Sequence, residues 1–280
     1  MPGVVKSAVF LAALGSAAAP DARQGAAILE AIPASLKEAA RDPARARAIL
    51  LALLYDAKTP ATTAKQDAII ARVLTPVERY ALAAAVPQIA QTPAWAHIPL
   101  ADIALASARY LGDPQVDALI AAVDEFVAAD GEVSLYEYAL RKVIHRNLRP
   151  PGNPGTLTKT CDALADEITI IISALAHAGA TDAAAVQHAF DAGTAQIRAA
   201  TEVAAQDIPL ALVNPDTLKP ATLTNALDRL DEATPAVKQA LLQALVGTAS
   251  ADGTIAPAEQ ELLRAVCAAL NCPAPALMQA

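Results

Sequence analysis

The stretch Ala129-Asp130-Gly131-Glu132-Val133-Ser134-Leu135-Tyr136-Glu137 returns 122 residues later as Ala251-Asp252-Gly253-Thr254-Ile255-Ala256-Pro257-Ala258-Glu259. The flanks keep the same register: Leu119, Ile120, Val123, Val133, Leu140, Ile144 and Leu148 answer to Leu241, Leu242, Leu245, Ile255, Leu262, Val266 and Leu270. Each copy reads as one helix ending, a tight turn on glycine, and a second helix beginning. Glycine adopts the left-handed conformation that helix C-termini favour. Glu137 or Glu259 then falls in the first turn of the next helix, where the dipole favours a carboxylate. A duplicated helix-turn-helix unit is therefore what this sequence establishes best.

Working outward, composition sets the fold class. Of the 280 residues, 55% are hydrophobic and 18% charged, which describes a packed globular chain rather than a disordered one. Aromatic residues make up only 3%, so the core must be built from Ala, Leu, Ile and Val. Alanine-rich surfaces let helices approach closely, and no alternating run is bracketed by hairpin turns. An all-α multi-helix bundle is expected. A formal charge of −8 speaks against a nucleic-acid-binding face. The densest basic run, from Arg141 through Lys142, His145 and Arg146 to Arg149, lies at the end of an expected helix, where cations suit the dipole.

Proline marks helix starts. Asp42-Pro43, Thr59-Pro60, Thr75-Pro76, Asp113-Pro114 and Thr234-Pro235 each place an oxygen acceptor before a proline at the first helical position. Thr75 with Glu78, and Ser134 with Glu137, have capping-box spacing. Helices are expected over 22–32, 34–41, 43–56, 60–73, 76–90, 94–111, 114–129, 135–148, 158–178, 182–199, 221–232, 235–250 and 257–270, with a short turn near 274–279. Irregular connectors are expected over 149–155 and 207–216. The repeat suggests a division into an N-terminal helical region, 1–112, and a repeat region, 113–280, with 149–234 as an insertion; one continuous domain is the alternative.

Residues 1–19 have an apolar run and small residues in the order of a short secretory signal, but with a single basic residue and Pro20 at the would-be first mature position they read rather as a first helix or a segment of a longer chain. No stretch is long and apolar enough for a transmembrane helix. Cys161, Cys267 and Cys272 form no C-x-x-C pair and read as thiols in a reducing compartment. His97, His145, His177 and His188 occur singly, outside any H-E-x-x-H run. Neither a glycine-rich phosphate loop nor a nucleophile elbow is present, so no catalytic residue is assigned.

Two readings of the repeated carboxylates stay open. Asp130, Glu137, Asp252 and Glu259 would serve as helix caps; alternatively, the two copies pack about a pseudo-twofold and gather them into an oxygen-ligand site for Ca²⁺ or Mg²⁺. No other cofactor is expected.

The element A-D-G-x-[VI]-x-x-x-E, carried by Ala129, Asp130, Gly131, Val133 and Glu137 and again by Ala251, Asp252, Gly253, Ile255 and Glu259, resembles the TerB-like tellurite-resistance family. The resemblance implies an all-helical cytoplasmic domain with related repeats and acidic residues proposed to bind metal. The runs 28–43, 128–140 and 262–273 also look like the C-terminal region of bacterial HtpX-like membrane zinc metallopeptidases, whose transmembrane helices and H-E-x-x-H domain have no counterpart here. Together these imply a non-catalytic regulatory or interaction module. Its partner would be another protein or a separate peptidase domain, in the cytoplasm or at the inner membrane face; export is the alternative if residues 1–19 are a signal. The competing function is a metal-responsive stress module.

Overall fold

The computed structural model describes residues 29–129, 131, 133–150, 160–200, 210–253, 255 and 257–272. Every regular element among them is helical, in the order α1 (Ala34–Arg41), α2 (Pro43–Ala52), α3 (Pro60–Val73), α4 (Pro76–Gln91), α5 (His97–Ala108), α6 (Asp113–Val127), α7 (Leu135–Leu148), α8 (Ala165–Gly179), α9 (Ala183–Ala200), α10 (Pro220–Asp231), α11 (Pro235–Ala249) and α12 (Pro257–Ala269). Short 3-10 turns cover Ala94–Ala96, Asp162–Leu164 and Pro215–Thr217. The expected helix at 22–32 is described only from residue 29, and the turn at 274–279 and the reading of residues 1–19 lie outside the described residues.

The described helices form two compact units, divided between Pro151 and Gly152. One copy of the repeated turn lies in each. In the first, Asp21–Pro151, α2 packs against α1, α4, α5 and α6. Its residues from Ala46 to Ala52 are all buried, as expected of a helix apolar on every side but one. The exception is Arg47, whose guanidinium forks onto Glu78, Nε to Oε1 and Nη2 to Oε2, both at 2.8 Å. Glu78 also accepts from the backbone N–H and hydroxyl of Thr75, each at 2.8 Å, so one buried carboxylate both caps α4 and neutralises α2.

The second unit, described from residue 160, is built the same way around α8, which packs against α9, α10, α11 and α12. Ile168, Ile171, Ile172 and Leu175 fill its centre. Glycine sets the tightest crossing. A Cβ on Gly193 of α9 would stand 2.1 Å from the Thr248 hydroxyl of α11, and one on Gly247 would stand 3.0 Å from Gln196, so the two backbones meet glycine against helix.

Three of the five X-Pro caps work as read: Asp42 accepts from Ala44, Thr75 from Glu78 and Thr234 from Val237. Thr59 makes no side-chain cap; Asp56 instead takes the N–H groups of Lys58 and Thr59. Asp113 is inside its helix, which begins one residue early, with Gly112 N–H donating to Gln115. α2 also stops at Ala52 rather than 56. The buried Gln66 explains it: its amide accepts from Asp56 N–H and donates to the Leu54 carbonyl, satisfying backbone groups that a longer helix would otherwise pair.

The described part of the 207–216 connector is pinned rather than loose. Val213 donates to Ser173 Oγ at 3.1 Å, and its carbonyl bonds His177 Nε2 at 3.0 Å. The 149–155 connector is described only to residue 150. Among the described residues, no helix is long and apolar enough to cross a membrane.

Candidate functional site

The repeated turn is reproduced in backbone detail. Gly131 and Gly253 both have φ of 84°, and apart from their chain neighbours no atom among the described residues comes within 4 Å of where a Cβ would point. The first turn is closed by bonds from the N–H of Ala128 to Asp124, Ala129 to Phe126 and Gly131 to Ala128. At the same offset, Ser250 bonds Val246, Ala251 bonds Thr248 and Gly253 bonds Ser250. The apolar register holds too, since Leu119, Val123, Ile144 and Leu148 are buried, as are Leu241, Leu245, Val266 and Leu270.

The acidic residues have diverged in their surroundings. Glu137 completes a capping box: its Oε2 accepts from the Ser134 N–H at 2.9 Å and hydroxyl at 2.6 Å, while its own N–H donates back to Ser134 Oγ at 3.2 Å. In the second copy Ala256 precedes α12 and offers no side-chain oxygen. Glu259 is buried, at 5% exposure, with its carboxylate over Gly179 at the end of α8. A Cβ at Gly179 would fall 2.0 Å from Glu259 Oε1, so this glycine makes the space the carboxylate occupies. Asp252 is exposed, and Asp130 lies outside the described residues. Glu137 belongs to one unit and Asp252 and Glu259 to the other. Among the described residues, no group of three or more His, Cys, Asp and Glu side chains is placed to hold a metal ion.

Two partners near the first turn escaped the sequence reading. Lys65 of α3 donates to the Ala129 carbonyl at 2.6 Å, tying the turn to a helix 64 residues earlier. Three members of the basic run at α7 reach α6. Arg141 Nε and His145 Nε2 reach the same Asp124 oxygen, at 2.6 and 2.9 Å, and Arg149 bonds Asp113 and Asp117 at 2.9 and 2.8 Å. Lys142 sits 5.5 Å from the Tyr138 ring centre. An acidic residue one turn apart from another on α6 was the available signal, but pairing it with α7 required the fold.

The family model for tellurite resistance protein TerB matches residues 116–280, from the first turn of α6 through both copies of the turn. Comparison with curated proteins and with solved structures returns no match. The matched family is not a peptidase catalytic domain. With the doubled Asp-Gly turn, the all-helical architecture and a match over more than half its length, the chain belongs to the TerB tellurite-resistance family.

Proposed function

We propose that this TerB-family chain is a non-catalytic helical module that recognises a protein partner through its helix surfaces. The observation that carries this reading is the outer face of α4. Val77 and Tyr80, one turn apart, are 66% and 80% exposed, whereas large apolar side chains elsewhere are mostly in the core. Tyrosine suits such a role because it offers a large, rigid contact area at little entropic cost. Tyr110, 82% exposed beyond α5, provides a second point of the same kind.

The resemblance of 28–43, 128–140 and 262–273 to HtpX-like proteins supports a finer form, in which the partner is a membrane zinc-peptidase domain and the module works at the inner membrane face. Co-purification of the full chain with such a peptidase in detergent, weakened at least tenfold by Tyr80→Ser with the fold unchanged by circular dichroism, is the expected result. Equal capture by the variant, or zinc-dependent proteolysis by the chain itself that a chelator abolishes, would overturn the reading. We also propose that 113–280 is the duplicated region with 149–234 inserted, a reading supported by the family match over 116–280.

A second reading is favoured by the buried carboxylate of Glu259. In it Asp130 and Glu137 of the first copy, and Asp252 and Glu259 of the second, are oxygen ligands for a divalent cation, on a turn whose glycine has the same conformation in both copies. Calorimetry with Ca²⁺, Mg²⁺ and Zn²⁺ tests it. Heat that Asp252→Asn removes supports the site; no heat and no shift in melting temperature with any of the three leaves those residues as caps and packing groups.

A further inference from the structure

The last turn of α12 has a complete Schellman cap. Cys272 N–H donates to the Cys267 carbonyl at 2.9 Å, Asn271 N–H donates to Ala268 at 3.2 Å, and Asn271 takes the left-handed conformation with φ of 55°. In this motif the residues at the two ends of the outer bond turn their side chains toward each other, usually as an apolar contact. Here both are cysteine. The outer bond also bounds their separation. A Cα lies about 2.4 Å from its own carbonyl oxygen and about 1.5 Å from its own nitrogen, so a 2.9 Å bond holds the two Cα atoms within about 6.8 Å. Disulfides span Cα separations of about 4.4–6.8 Å.

We propose that Cys267 and Cys272 are a reversible modification site: a disulfide between them, formed by exchange with a small-molecule disulfide of the glutathione type, locks the C-terminal cap of α12. All three cysteines are thiols in this structure. Cys267 is buried at 1% exposure, and burial pushes its thiol up to about 12, so Cys272, the more exposed, reacts first. Its thiolate attacks one sulfur of the small disulfide and the other half leaves as a thiolate. Cys267 then gives up its proton and displaces the second half. The two protein thiols are oxidised, the small disulfide is reduced to two thiols, and the protons end on those leaving groups.

The pair belongs to the second copy of the repeat alone, because the equivalent positions in the first are His145 and Pro150. Lys238 of α11 adds a reason for the lock to be felt beyond the cap, since its ammonium donates to the Leu270 carbonyl inside the same turn, at 3.3 Å.

The test equilibrates the full chain with mixtures of reduced and oxidised glutathione, quenches in acid, alkylates remaining thiols in denaturant and digests with trypsin. No Lys or Arg follows Arg264, so both cysteines fall in the single peptide 265–280. That peptide is expected to become two hydrogens lighter and to resist alkylation, reversibly with added reductant, while Cys161 stays alkylatable. In Cys272→Ser the remaining Cys267 is expected to alkylate fully. Two alkyl groups on peptide 265–280 at every ratio, glutathione on each cysteine separately, or a bridge to Cys161 would each overturn the proposal. Because Cys267→Ser alters a packed position, Cys272→Ser at the more exposed position is the deciding variant.

Discussion

The hairpins α6–α7 and α11–α12 have the same turn, the same glycine conformation and the same backbone bonds, yet the seams between their helices are made of opposite materials. In the first, Asp124 holds Arg141 and His145, all three side chains at least a third exposed. At the matching positions of the second stand Val246, Leu263 and Cys267, none more than 2% exposed. What the repeat preserves is therefore the backbone device, a helix stop on a left-handed glycine followed by a helix start. The seam is free to follow its surroundings: it is charged where it meets water and apolar where α8 and α10 cover it.

Exchanging the seams should be strongly asymmetric. Val246→Asp places one carboxylate in a closed apolar seam and is expected to cost about 3–5 kcal/mol, the range for an uncompensated buried charge; the reverse, Asp124→Val, removes an exposed network and should stay within about 1 kcal/mol. Urea-denaturation midpoints of the two variants decide it, and equal losses would break the comparison.

Gly193→Ala tests the glycine crossing of the second unit. Overpacking against Thr248 should cost about 1–3 kcal/mol despite alanine's better helix propensity, and Thr248→Ala in the same chain should recover part of it. A double-mutant cycle measures that coupling. Gly131→Ala and Gly253→Ala probe what the hairpins share. Each forces a side chain into the left-handed region in open space, so each should lose about 1–2 kcal/mol, and the two losses should agree within a few tenths. Ser134→Ala, which breaks the capping box of the first copy, should cost about 1 kcal/mol by the same measurement. No equal loss is available at the second copy, where that position is already Ala256.

Helix starts were legible because their chemistry is local. Thr75 with Glu78 and Ser134 with Glu137 need only a spacing of three, and the structure forms both boxes. The doubled turn was legible for the same reason, and the family match rests on the region that contains it. Illegible features depend on partners far along the chain. The early end of α2 needs Gln66 to arrive from α3, and the buried fate of Glu259 needs Gly179, 80 residues away. Glu137 and Glu259 share a sequence position and differ in surroundings that no spacing encodes. Cys267 and Cys272 looked unrelated because five residues along a straight helix point elsewhere; the left-handed Asn271 turns the chain back.

The division at Pro151 also sorts the chromophores. Trp95 and all five tyrosines, Tyr55, Tyr80, Tyr110, Tyr136 and Tyr138, fall within Asp21–Pro151, and Gly152–Ala280 contains neither residue type. Intrinsic fluorescence therefore reports on the first unit alone, while far-ultraviolet circular dichroism weighs the helices of both. Any gap between the two melting curves of the unlabelled chain is a direct reading of how independently its second unit unfolds.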